Sequence, residues 1–359
     1  MNKFYTFYHN DLDGKSAAWC VHTFLRNIGV LDKPNQYQRH GYADEWKLNN
    51  IDKDTNVFIV DLSFTKDTVG FLIEICARAR NVFWIDHHQS SLELVQTDTF
   101  KSFQLPNLCK FLSNDGSGAL LTYAFTQSIK SLYDFNQEFD ENLFDNIREY
   151  CFDGTPIFNF NHKAFTVVFN VDKEDNENKE FCIFTDIPKW LDYVDDYDRW
   201  QKRYVPDTDN LVLGIETANT GFATKIDEEI VFNDDFWKRF MTNGCIDNYI
   251  SIGTYIKAYM DSRHRKELRN CFEYTLDDGT IILCKNGYGN SWNFMDEIKK
   301  YPAVCLFSFD GKNGIWYHSV YSDAESDFDC AKFCQQFGGG GHKHAAGFMN
   351  KKAIFVPEL

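Results

Sequence analysis

The sequence has no Cys-x-x-Cys pair, no apolar run approaching a membrane span and no excess of basic charge. Each absence removes a class of function. The 11 cysteines are odd in number and scattered. Without paired spacing they read neither as a zinc ribbon nor as a disulfide framework, and they fit a reduced, cytoplasmic protein. Cys330 and Cys334 have the spacing of one helix face rather than of a zinc knuckle. No stretch nears the roughly 18 apolar residues of a transmembrane helix, and the chain begins directly with a strand-like run. Neither a membrane anchor nor a signal peptide is expected. Lys and Arg number 37 against 53 Asp and Glu, a net charge of −16. That balance disfavours coating a long polyanion and suits metal ions, or a small anion held through them. No internal repeat or low-complexity tract is present.

What is there is enough for two domains: 359 residues, 43 % hydrophobic and 17 % aromatic, with 34 Phe. Lys3–Tyr8 reads as a strand and Ser16–Ile28 as a helix. Val57–Val60 reads as a buried strand ending at Asp61, Thr65–Ala79 as a helix, and Val82–Ile85 as a strand ending at Asp86-His87-His88. This alternation predicts an α/β fold with a parallel, doubly wound sheet, whose ligands bind beyond the carboxyl ends of the strands. Asn114–Gly118 opens a further helix, either as a phosphate-receiving N-terminus or as a plain capped start. Residues 130–185 are acidic and aromatic, with a charged run at 172–180 read as an exposed loop, and they look like an insertion. One helix is expected from about Phe236 to Arg269, with a basic cluster at Arg263–Lys266. The last hundred residues restart the pattern. Strands are expected at Thr280–Cys284, Ala303–Phe309 and Ile315–Tyr321, and a helix at Phe328–Phe337. The resulting division is 1–235, a connecting helix at 236–269, and a smaller α/β domain at 270–359.

Four consecutive glycines, Gly338, Gly339, Gly340 and Gly341, followed by His342, stand near the C-terminus. They are unfavourable in a regular element. They let the backbone take φ > 0, admit a ligand without a Cβ in the way, and can form an anion nest. A bare glycine turn is the competing reading.

His9-Asn10-Asp11-Leu12-Asp13, Asp61, Asp86-His87-His88 and Asp198 carry the chemistry. Taken singly, Asp11 reads equally as a helix N-cap, Asp86 as a cap, and the histidines as satisfied polar residues. Converging carboxylates repel one another unless cations lie between them. Mixed carboxylate and imidazole ligands suit Mn²⁺ best, with Mg²⁺ less favoured and Fe²⁺ an option.

These stretches, together with Gly338–Phe348 (GGGGHKHAAGF), resemble the DHH phosphoesterase superfamily and its associated C-terminal domain. The resemblance runs from His9 to Phe348 with five motifs in order. It implies a two-metal site in a cleft between the domains: His9 and Asp11 on one ion, Asp13, His87 and Asp198 on the other, and Asp61 bridging. It further implies that Asp86 supports the histidines, that His88 contacts the scissile phosphate or its leaving group, and that Gly338–His342 holds substrate. Asp196 competes with Asp198 for the fourth motif. Many such C-terminal domains carry Arg-Ser where this chain has Tyr321-Ser322. The missing Arg is either absent from the chemistry or replaced by Lys343, His344 or the Arg263–Lys266 cluster. The expected activity is hydrolysis of a short oligonucleotide or small nucleotide phosphoester, with two divalent ions, most plausibly Mn²⁺. No membrane and no long nucleic acid is expected as partner. A RecJ-like single-strand exonuclease, a phosphodiesterase for cyclic dinucleotides or 3′-phosphoadenosine 5′-phosphate, and a non-catalytic nucleotide-binding scaffold are the alternatives. Oligomeric state is left open.

Overall fold

A computed structural model describes residues 3–30, 35–41, 45–136, 142–152, 157–161, 164–168, 185–219, 233–241 and 243–355. The chain forms two compact units, Met1–Gly253 and Thr254–Leu359, and each is taken by itself.

The first unit is built on five strands: β1 (Lys3–His9), β2 (Asn35–His40), β3 (Thr55–Val60), β4 (Asn81–Asp86) and β5 (Leu108–Leu112). They form a sheet in the order β2-β1-β3-β4-β5 with every pairing parallel. The period-2 alternation of side chains sorts the strands onto two cores. Phe4, Tyr8, Phe58, Val60, Phe83 and Ile85 face one. Tyr5, Phe7, Val57, Ile59, Val82 and Trp84 face the other. Helices α1 (Leu12–Asn27) and α5 (Gly118–Asn136) supply the first core. Helices α2 (Val69–Arg78), α3 (Gln89–Gln96) and α4 (Asp98–Lys101) lie with the second. The doubly wound reading is thus correct, and two strands are added to it. β2 (NQYQRH) is a polar edge strand with no apolar signature, and β5 (LCKFL) is short.

Within residues 130–185 several regular elements are described. Helix α5 runs on to Asn136, and α6 (Leu143–Phe152) places Phe144 and Ile147 in the first core. β6 (Ile157–Asn161), β7 (Ala164–Val168) and β8 (Thr185–Asp186) make a small antiparallel sheet. The charged run at 172–180 lies outside the described residues. Helices α7 (Lys189–Asp198) and α8 (Asp207–Asn219) follow. The single helix expected over 236–269 is two, α9 (Asp234–Phe240) and α10 (Asn243–Glu267). The side chain of Asn233 accepts from the Phe236 amide to cap α9, and α9 stops at Met241.

The second unit holds β9 (Phe272–Thr275), β10 (Ile281–Asn286), β11 (Val304–Asp310), β12 (Ile315–Tyr321), β13 (Gly340–His342) and β14 (Ala345–Asn350), with α11 (Cys330–Gln335) before the glycines. The sheet order is β13-β14-β12-β11-β10-β9, with β10 and β11 parallel and the other pairs antiparallel. Gly338 (φ 77°) and Gly339 precede β13, while Gly340 and Gly341 are part of it, so a regular element takes half of the glycine run, against the sequence-based expectation. The reason is close approach. A Cβ at Gly339 would lie 2.2 Å from the Gly347 carbonyl oxygen, and one at Gly341 would lie 2.6 Å from that of Ala345. At Gly340 a Cβ would meet nothing within 4 Å.

A candidate metal centre at the strand ends

β1, β3 and β4 are neighbours in the sheet, and each ends in the residues singled out above. β1 ends at His9, Asp61 follows β3, and β4 ends at Asp86 with His87 and His88 behind it. Asp11 caps α1, its Oδ1 accepting from the Gly14 amide at 2.9 Å. Its Oδ2 lies 2.7 Å from His9 Nδ1. The N-cap and ligand readings of Asp11 are therefore compatible. Asp13, on the first turn of α1, is 2 % exposed and accepts from the Ala119 amide at 3.1 Å.

The donors fall into three overlapping groups: His9 with Asp11 and Asp61, Asp13 with His87 and Asp198, and Asp61 with Asp86, His87 and His88. Within each group the ligand atoms lie within 4.8 Å of one another. Asp61 stands between His9 and His87. Its Oδ2 is 3.8 Å from His9 Nδ1 and its Oδ1 is 3.2 Å from His87 Nε2, the latter without hydrogen-bond geometry. His87 Nε2 is also 3.3 Å from Asp198 Oδ2 and 3.9 Å from Asp13 Oδ2. Both Asp61 oxygens, Asp13 Oδ2 and Asp198 Oδ2 are buried with no hydrogen-bond partner. Buried acceptors left this way cost free energy that a cation would recover.

The titration of these groups expresses the same frustration. Burial, then the charges of Asp13, Asp11 and Asp198, push the Asp61 carboxyl well above its usual range. Burial and the Asp11 charge raise Asp13 to about 7. Burial, then Asp13 and Asp11, raise Asp198 to about 9. Burial is the largest influence on Asp11 and opposes its ionisation, but the hydrogen bond and charge of His9, the Gly14 amide and His88 together outweigh it and the carboxyl is lowered. Burial and the neighbouring His88 hold His87 down to about 4, as a neutral ligand requires. Burial is the largest influence on His88 and lowers it, but the hydrogen bond and charge of Asp86 with the charges of Asp13 and Asp11 together overcome it, and His88 is raised.

Asp86 is fully buried. It receives the Ser91 hydroxyl on Oδ2 and lies 2.7 Å from His88 Nδ1 through Oδ1. This arrangement fixes the His88 ring. Asp61 sits at φ 54°, in the left-handed region that Asp tolerates better than most residues. Room for it comes from Gly118, where a Cβ would stand 2.5 Å from the Asp61 Cβ. The Asn114–Gly118 turn is a helix start, and two of its amides are already taken. Ser117 N donates to Asp195 and Ala119 N to Asp13. A phosphate there would find them occupied. Asp196 is satisfied by Thr208 Oγ1 at 2.6 Å and the Arg203 amide at 2.7 Å. Asp198, not Asp196, therefore joins the centre. Ser91, Gly118 and Asp195 escaped the sequence reading. Gly118 lay within a motif already noticed, while Ser91 and Asp195 carried no spacing signal.

In the second unit, Ser322 Oγ lies 2.9 Å from His344 Nδ1, which commits that nitrogen to the β12–α11 connection. Nothing is described for the His342 side chain.

No family model matches the chain. Among solved structures, the DHH domain of a member of a ribosomal-protein family has a TM-score of 0.50 at 12 % identity, covering 96 % of this chain and 82 % of that one. A pGpG-specific phosphodiesterase from Vibrio cholerae has a TM-score of 0.42 at 11 % identity, covering 97 % and 93 %. The likeness to that DHH domain is one of fold: a parallel five-stranded α/β unit followed by a smaller mixed-sheet unit. An uncharacterized protein of Acanthamoeba polyphaga mimivirus is 26 % identical over 204 residues, 51 % of this chain and 45 % of that protein. The chain thus covers less than half the length of the curated relative it matches. Among the described residues no helix is long and apolar enough to cross a membrane.

Proposed function

We propose that the chain is a metal-dependent phosphoesterase acting on short oligonucleotides or small nucleotide phosphoesters. The observation that carries the reading is the set of partnerless buried carboxylate oxygens on Asp13, Asp61 and Asp198, gathered around neutral His87. A fold stands to gain little from such a set unless cations neutralise it.

The donor chemistry fits two divalent ions, one held by His9 and Asp11, one by Asp13, His87 and Asp198, with Asp61 shared. The imidazoles favour Mn²⁺ over Mg²⁺. Such a pair, when bound, supplies charge to the phosphoryl oxygens and acidifies an attacking water. The remaining work belongs to the protein. Asp86 and Ser91 orient His88, whose Nδ1 is engaged, so Nε2 is the nitrogen that donates to the phosphoryl or leaving oxygen. The depressed basicity of His87 keeps it a ligand rather than an acid. Gly338–His342 is the proposed substrate-holding loop. In support, Gly340 has neither a steric need nor a positive φ to explain it, so an approaching ligand is the remaining use for its missing side chain. The nine cysteines whose side chains are described are all free, in support of a reducing, cytoplasmic setting.

The test is hydrolysis with Mn²⁺ of a panel of dinucleotides, longer RNA and DNA, cyclic dinucleotides and 3′-phosphoadenosine 5′-phosphate. Cleavage of the short members, abolished by Asp61→Ala, is expected. No Mn²⁺-dependent cleavage of any member would leave a scaffold of the same fold as the better reading.

A further inference from the structure

Beside the centre, on the His9 and His88 side, the first unit has a pocket of about 120 Å³ that the assignments above do not use. His9, Asp61 and His88 give it an ionic edge, and Trp46 and Phe71 also line it. This aromatic lining is held rigidly. Trp46 stacks on Phe71 at 5.7 Å and 20° and on Phe64 at 5.4 Å and 24°, and its centroid is 3.9 Å from that of His40. Trp46 also packs on Phe7 in the core at 4.9 Å. It therefore cannot fold into the space. Phe71 remains 39 % exposed. The chain thus holds an apolar ring toward solvent at the margin of a charged centre, where a polar residue would cost less. The volume is close to that of the ~150 Å³ cavity that accepts benzene, a better match to one planar ring than to two fused rings.

We propose that this pocket is a base subsite for a single-ring nucleobase carried next to the phosphate on the metal centre. The inference rests on the phosphoester reading of that centre and adds the substrate class: pyrimidine-sized rather than purine. Stacking on the exposed side of Phe71, which Trp46 backs, would supply the affinity, as it does wherever bases meet aromatic walls. Phosphate and ring would then be held at adjacent points of one unit.

Calorimetric binding to the intact chain in Mg²⁺, comparing uridine monophosphate, guanosine monophosphate and ribose 5-phosphate, tests this. Uridine monophosphate is expected to bind at least about fivefold tighter than ribose 5-phosphate, the low end of one stacked base, and tighter than guanosine monophosphate. Phe71→Ala is expected to erase most of that margin. Thr65→Trp, which fills the pocket from its exposed rim, should erase it as well and serves if Phe71→Ala fails to fold. Equal binding of uridine monophosphate and ribose 5-phosphate, no binding of either, or a margin that survives a folded variant would overturn the subsite. The catalytic reading is judged separately. Ring-dependent binding with no hydrolysis of any phosphoester keeps the subsite and removes the activity, whereas hydrolysis without ring preference does the reverse.

Discussion

Asp61 is the residue on which the centre turns. It is buried, sits in the left-handed region, and has neither carboxylate oxygen hydrogen-bonded. A residue kept for stability would not be placed so. Asp61→Asn should therefore raise the melting temperature of the metal-free protein, by about 2–4 °C for each kcal/mol of relieved repulsion, while abolishing Mn²⁺ binding. A melt that falls instead would mark Asp61 as structural. Ser91→Ala acts one step further out, by freeing Asp86 and hence His88. Outer-shell changes of this kind cost roughly 10–100-fold in metal affinity or activity, and the loss should appear in kcat rather than in thermal stability. Asp61 was legible because it ends a four-residue apolar run at a predictable place. Ser91 was not, because one hydroxyl on the helix after a motif carries no pattern that sequence alone can weigh.

At the scale of elements, the apolar runs of β1, β3 and β4 announced themselves, and their shared parallel direction put the three motif ends side by side. β2 escaped because an edge strand need not be apolar on both faces, and β5 because five residues support no period. The glycine run misled in a physical way. Propensity argued against a regular element, but Gly341 in β13 and Gly339 just before it lie too close to β14 for a Cβ. This separates two substitutions of identical chemistry. Gly339→Ala should destabilise the second unit, since its Cβ meets backbone at 2.2 Å. Gly340→Ala should leave the melt unchanged and weaken substrate binding. If Gly340→Ala alters neither binding nor activity, the loop is a packed hairpin and nothing more. Gly118→Ala belongs to the same class. By pressing on Asp61 it should weaken metal binding in a protein that still folds.

For the whole molecule, the two units respond to pH in opposite directions. Asp13 and Asp198, ordinarily near 3.8, hold their protons to about 7 and about 9 in the metal-free folded first unit. The folded state thus binds more protons than the unfolded one between those values. Stability from these groups is greatest below about 3.8 and is lost as pH rises through 7 toward 9. In the second unit, burial lowers His318 to about 4, and its Nε2 accepts from the Ile354 amide while its ring stacks on Phe348. Its contribution is full above 6.5 and is lost as pH falls through 4. Calorimetric scans of the metal-free chain should show the first unit melting earlier at pH 9 than at pH 6, with Mn²⁺ removing that difference. A first-unit melt independent of pH would contradict the repulsion described for Asp13 and Asp198. The net charge of −16 predicts, at the same scale, that activity does not rise steadily with oligonucleotide length.

The most direct test is the stoichiometry of Mn²⁺ binding by equilibrium dialysis at pH 7.5, for the native chain and for Asp61→Asn. Two ions per native chain, with both sites weakened together in the variant, are predicted from an Asp61 shared between His9–Asp11 and Asp13–His87–Asp198. One ion or none in the native chain, or a variant that binds as the native chain does, would contradict a two-ion centre.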